Sequence, residues 1–183
     1  VGVPGVDGEG GVGGSGGEGT DGYEGGLEVC TAAGAAAVRA LKERDKRVFL
    51  DLKLHDIPNT VARAVGRARD LEVDLLTRHA TGGRRMMEAA AEAAGDDLTL
   101  LGVTVLTSMT SSDVEDSWGR VVDSLEEEVV RLARLARESG VGGVVASVRE
   151  AAPIRSALGG DLVVVTPGIR LAGDDAHDQA RVS

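Results

Sequence analysis

Aromatic side chains are nearly absent from this chain: Tyr23, Phe49 and Trp118 make up 2% of its 183 residues. Aliphatic residues must therefore build its core. Cysteine occurs once, as Cys30, so no disulfide can close within one chain, which suits a reducing compartment. Cys30 lies in an apolar stretch and reads as packing rather than as a nucleophile. Basic residues are outnumbered, 20 against 30 acidic ones, for a net charge of −10. That balance argues against nonspecific nucleic-acid binding, which needs a basic face. A phosphate ligand needs only local positive charge and stays open. No stretch of about 18 apolar residues occurs, so no membrane-spanning helix is expected. No charged-then-apolar leader is expected from the opening residues either. A cytoplasmic location follows as the expectation. The histidines His55, His79 and His177 lack metal-ligand spacing, so no metal site is expected.

Glycine is the opposite case, filling 13 of the first 26 positions. Each glycine costs about 1 kcal/mol against alanine in a helix interior, and it brings no side chain to bury. Residues 1–26 therefore read as a degenerate, glycine-rich first βα unit for which disorder is the default. A glycine-rich phosphate cradle would need a strand before it and a capped helix after it, and neither is visible. Residues 27–183 read as one partial domain, in which strand and helix patterns alternate as in a parallel α/β fold. Helices are predicted at Ala32–Arg44, Asn59–Leu71, Gly83–Ala94, Val121–Ser139 and 150–157. Strands are predicted at 47–53, 74–80, Leu98–Leu106, 142–147 and 161–166. Thr107–Arg120 is predicted to be a polar loop, and Trp118 in it a candidate interface residue. Ala172–Gln179 is a second polar loop that could close over a phosphate.

The most informative segment is Asp51-Leu52-Lys53-Leu54-His55-Asp56-Ile57-Pro58-Asn59-Thr60. It follows the apolar run Arg47-Val48-Phe49-Leu50. Strand alternation places Asp51 and Lys53 on one face. Pro58 suits the first turn of a helix, which puts Asp56 on the short connection before it. An Asp-x-Lys pair is commonly a solvated ion pair. Here it interrupts an apolar strand, where charges must be paired or shift their pKa. A lysine held between carboxylates keeps its proton and can act as a positioned acid.

This string resembles the signature of the orotidine 5'-phosphate decarboxylase family. Further segments agree in order: Asp74–Gly83, Gly102–Ser108, Gly143–Ser147, Val163–Arg170 and Asp178–Val182. The resemblance covers about residues 23–183. It implies a (β/α)8 TIM barrel, here incomplete because the last strand and helix, with their phosphate-gripping turn, have no counterpart. It implies conversion of orotidine monophosphate (OMP) to uridine monophosphate (UMP) and carbon dioxide without metal or organic cofactor. It also implies a homodimer in which Asp56 and Thr60 complete the partner's site. Lys53 would donate a proton to C6 of the pyrimidine, while Asp51 would hold Lys53 and crowd the departing carboxylate. Thr107 and Ser108 would touch the pyrimidine, Pro167 and Gly168 would line the base pocket, and Gln179 would reach the base and phosphate. Two positions depart from the pattern. Gly2 stands where an aspartate is expected, and Glu24 where the second strand normally carries a lysine. Two alternatives stay open. One is a magnesium-using sugar-phosphate enzyme of the same wider superfamily, which shares Asp-x-Lys-x-x-Asp. The other is an inactive family remnant.

Overall fold

The structure, a computed structural model, describes residues 22–167. Along them run β1 (Gly22–Gly26), α1 (Leu27–Lys42), β2 (Arg47–Leu54), α2 (Pro58–Asp70) and β3 (Leu75–His79). A single 3-10 turn (Ala80–Gly82) leads to α3 (Arg84–Ala94), β4 (Thr99–Val103), α4 (Ser111–Trp118) and α5 (Leu125–Glu138). Then come β5 (Gly143–Val145), α6 (Val148–Leu158) and β6 (Val163–Val165). All six strands are parallel and pair in chain order. Parallel neighbours need a crossover, and a helix lies between each consecutive pair.

Period-2 alternation divides the sheet into two faces. Val48, Leu50, Leu76, Leu100 and Val144 face the helices and join one core with Val65, Met87, Val129, Leu132 and Ile154. Phe49, Leu101 and Val165 point the other way and gather Leu75, Val145 and Val163 into a second, smaller cluster. Helices on one face and an aliphatic cluster on the other make this the curled wall of a (β/α) barrel, the incomplete TIM barrel expected. Burying each such aliphatic side chain stabilises the fold by about 1.5–3 kcal/mol, which is how a chain so poor in aromatics holds together. Close approach on the inner face depends on Gly143. A Cβ there would lie 2.7 Å from the Leu101 side chain and 2.8 Å from Val163.

Several element boundaries differ from expectation. Gly22–Gly26, placed by composition in the glycine-rich unit, is a strand, because β2 offers it a five-residue ladder. The first helix begins at Leu27 rather than Ala32 and kinks at Gly34, whose φ of +54° lies in the left-handed region. Thr107–Arg120 is not a loop throughout, because it contains α4. There Thr110 and Asp113 cap each other's backbone N–H groups, a start signal spaced as Thr-x-x-Asp. The following helix begins at Leu125 rather than Val121. Ser124 caps it, and Val121 is left exposed.

Candidate active site

The sequence places Asp51 and Lys53 near the C-terminal end of β2, and the structure joins them in an ion pair. Both are half-buried. Period 2 brings them to one face, as expected, but the strand is irregular there. Leu50 pairs with Leu76, and Leu54 pairs with Arg78, so β2 advances four residues while β3 advances two. Lys53 takes up the slack with φ +48°, an uncommon conformation for a residue with a side chain. Thr77 of β3 meets both groups. Its hydroxyl accepts the Lys53 N–H at 2.8 Å and donates to Asp51 Oδ1 at 2.8 Å. Sequence reasoning missed Thr77. Strand parity puts Thr77 on the same face of β3 as His79, but its contact with Lys53 depends on the register step against β2, which no local pattern shows.

Glu24 lies on the inner face of β1, in register with Phe49. Its carboxyl is pushed above the ordinary range, first by burial and then by the charge of Asp51, with the Lys53 ammonium pulling the other way. Thus the residue that replaces the expected lysine sits in the same electrostatic field as the Asp51–Lys53 pair. His79 closes the strand end. Its ring centroid is 5.4 Å from that of His55 at a 41° tilt. Burial, His55 and Lys53 all lower the His79 pKa, with Asp51 opposing them. The neutral imidazole is the favoured form beside an ammonium, and the two histidine rings pack against each other at the strand ends.

The remaining predicted residues are spread around the same rim. Asp56 is exposed on the connection to α2, its Oδ1 accepting the Ile57 N–H at 2.6 Å, and it makes no ion pair with Lys53 among the described residues. Thr60 lies half-buried in the first turn of α2, which begins at Pro58 as expected. Thr107, half-buried, and Ser108, exposed, follow β4, and half-buried Pro167 follows β6. Because the strands are parallel, all three lie beyond the same strand ends as Lys53. Gly168 and Gln179, like Gly2, lie outside the described residues. Trp118 ends α4 with the Arg120 guanidinium 5.3 Å from its ring centre. Among the described residues, no group of three or more His, Cys, Asp or Glu side chains is arranged to hold a metal ion.

A braced Asp–Lys pair at the C-terminal rim of a parallel barrel wall is an arrangement for placing an ammonium beside developing negative charge. The sequence profile of the orotidine 5'-phosphate decarboxylase / HUMPS family matches residues 16–183. The chain belongs to this family. An orotidine 5'-phosphate decarboxylase of Moorella thermoacetica is 50% identical over 165 residues, covering 86% of this chain and 65% of that protein. One from Neisseria meningitidis serogroup C is 51% identical over 162 residues, with the same coverage. The chain thus spans about 65% of the length of these curated family members. Among solved structures, orotidine 5'-phosphate decarboxylase from Lactobacillus acidophilus superposes with TM-score 0.76 at 34% identity, covering 80% of this chain and 68% of that one. An uncharacterized conserved protein from Geobacillus kaustophilus superposes with TM-score 0.75 at 40% identity, covering 81% and 73%. No helix among the described residues is long and apolar enough to cross a membrane.

Proposed function

We propose that this chain decarboxylates OMP to UMP, with Lys53 as the proton donor. The observation that carries the reading is the Lys53–Asp51 pair, held by Thr77 at the rim where the family's substrate class would bind. In the reaction the bond from C6 to the carboxylate carbon breaks, carbon dioxide leaves, and the electron pair stays on C6. The Lys53 ammonium then gives C6 a proton and regains one from water. Asp51 serves twice. It keeps Lys53 charged, and it opposes the substrate carboxylate. Two carboxylates ~4 Å apart repel by about 4 kcal/mol at an effective dielectric near 20, and loss of carbon dioxide relieves that repulsion. Binding of the distant phosphate must supply much of the remaining barrier reduction.

The same reading assigns Thr107 and Ser108 to the pyrimidine, and Pro167, Gly168 and Gln179 to the base and phosphate. It also makes the protein a homodimer. Asp56, exposed and unpaired with Lys53 in its own chain, and Thr60 would complete the partner's site. Ile57, 67% exposed between Asp56 and Pro58, is an apolar contact suited to that interface. One observation favours a second reading, a sugar-phosphate enzyme of the same superfamily. Glu24 and Asp51 bring two carboxylates to one place, and magnesium is commonly held by one or two carboxylates with waters and substrate oxygens. Magnesium-dependent turnover of a 3-keto sugar phosphate would select that reading.

The test is loss of OMP absorbance with purified chain and a Lys53→Ala control. Turnover that the control lacks is the expected result. A folded protein, judged by circular dichroism, that leaves OMP intact would refute the decarboxylase reading and favour an inactive remnant.

A further inference from the structure

The step between β2 and β3 leaves the Lys53 backbone in a left-handed conformation, which regular strand pairing does not hold in place. One side chain spans the irregularity. Thr77 is fully buried, and its hydroxyl takes the Lys53 N–H while giving its proton to Asp51 Oδ1. The other Asp51 oxygen, Oδ2, receives the Lys53 ammonium. These contacts close a ring: Lys53 backbone, Thr77 hydroxyl, Asp51 carboxylate, Lys53 ammonium. A hydroxyl has one proton to donate, and here it goes to Asp51. Valine would match the volume of Thr77 and suit the strand, but it could make neither bond.

We propose that Thr77 is a positioning residue for proton transfer: its hydroxyl fixes the backbone turn at Lys53 and the rotamer of Asp51 together, and so aims the ammonium. This rests on the decarboxylase reading above. Without the hydroxyl, the Lys53 backbone is free to relax toward extended geometry, and the Asp51 carboxylate loses one of its two anchors. The substrate's base and phosphate contacts are untouched. The consequence should therefore fall on kcat rather than on KM.

The experiment compares the parent, Thr77→Val and Thr77→Ser by turnover of OMP and by amide hydrogen exchange. Misplacing a reacting group by an ångström costs about 100-fold, so Thr77→Val should lose roughly that factor in kcat with KM nearly unchanged. Thr77→Ser should restore most of it. The Lys53 amide should exchange faster in Thr77→Val, while the Leu50 and Leu76 amides keep the parent's rates. A Thr77→Val enzyme with the parent's kcat would overturn the proposal and leave the decarboxylase reading standing. An inactive parent would overturn that reading, and the Lys53 amide would then decide alone. Selectively faster exchange in Thr77→Val upholds the positioning role. Unchanged exchange, or acceleration spread evenly over β2 and β3, overturns it.

Discussion

Thr77 and Arg78 are consecutive residues of one strand, both fully buried, and they meet opposite fates. Thr77 faces the inner side, and its hydroxyl is satisfied twice. Arg78 faces the helix layer, and none of its three guanidinium nitrogens has a hydrogen-bond partner among the described residues. Burial alone pushes the Arg78 pKa down to about 10, a value at which it still carries its charge at neutral pH. Elsewhere in the same fold a buried charge is handled differently. Glu128 is flanked by Arg120 at 2.8 Å and Arg131 at 2.5 Å, and these partners hold its pKa below the ordinary range although burial opposes them. The contrast shows that burial by itself does not decide how a charge is partnered. What distinguishes the inner face of β3 is a closed set of partners around groups that can do chemistry.

The comparison is tested most severely on the inner face, by restoring the charge balance there. Glu24, Asp51 and Lys53 amount to two carboxylates against one ammonium. Glu24→Lys would reverse that ratio and set a second cation where charge develops. Preorganised charges of this kind are worth about 100-fold or more in rate, so kcat/KM for OMP should rise by roughly tenfold to 100-fold. Steady-state kinetics on the two proteins would measure it. If neither activity nor stability responds, the placement of β1 against the family's second strand is wrong, and the inner face is less coupled than its geometry suggests.

On the outer face the expectation runs the other way. Removing the charge of Arg78 while keeping an unbranched stem, as Arg78→Met does, eliminates an uncompensated buried cation. An unsatisfied buried polar group costs about 1–3 kcal/mol, and more when charged, so the variant should gain about 2 kcal/mol or more. For a chain of this size, each kcal/mol raises Tm by about 2–4 °C, which differential scanning calorimetry resolves. Activity should be unchanged, because Arg78 points away from Lys53. A destabilised Arg78→Met would mean that the guanidinium has a partner outside the described residues, and the contrast with Thr77 would dissolve.

How far the sequence revealed these two faces depends on what each residue's local pattern encodes. The parallel βα alternation, the Asp51–Lys53 pairing and the helix start at Pro58 were legible, because period 2, period 3.6 and proline chemistry are local properties. The step between β2 and β3 was not. It depends on the register of two strands more than twenty residues apart, and neither strand's composition announces it. Thr77 was hidden for that reason, since its role exists only where β2 is out of step. The α4 helix carries a local start signal, Thr110 and Asp113 at capping spacing, but it lies inside a polar stretch whose composition reads as loop. Strand β1 was obscured in composition by its glycines, whose low intrinsic preference is overridden by the ladder that β2 supplies, and only the family resemblance marked Glu24 as lying on a strand.

The smallest effect is also the most specific to the inner face. Because Glu24 has a folded-state pKa above its unfolded value, folding favours the protonated form. Its contribution to stability is fully present below the unfolded pKa and is lost as pH rises through the folded one. Glu24→Gln removes that titration while keeping the side chain's size. Denaturant unfolding of the two proteins at a series of pH values should therefore show curves that diverge upward from the ordinary carboxylate range, with Glu24→Gln the more stable at neutral pH. Glu24 is only half-buried, so the divergence should be modest and should shrink with added salt, which screens the repulsion from Asp51. Parallel curves would show that the Glu24 carboxylate reaches solvent freely, and that the Asp51–Lys53–Thr77 ring is organised without it.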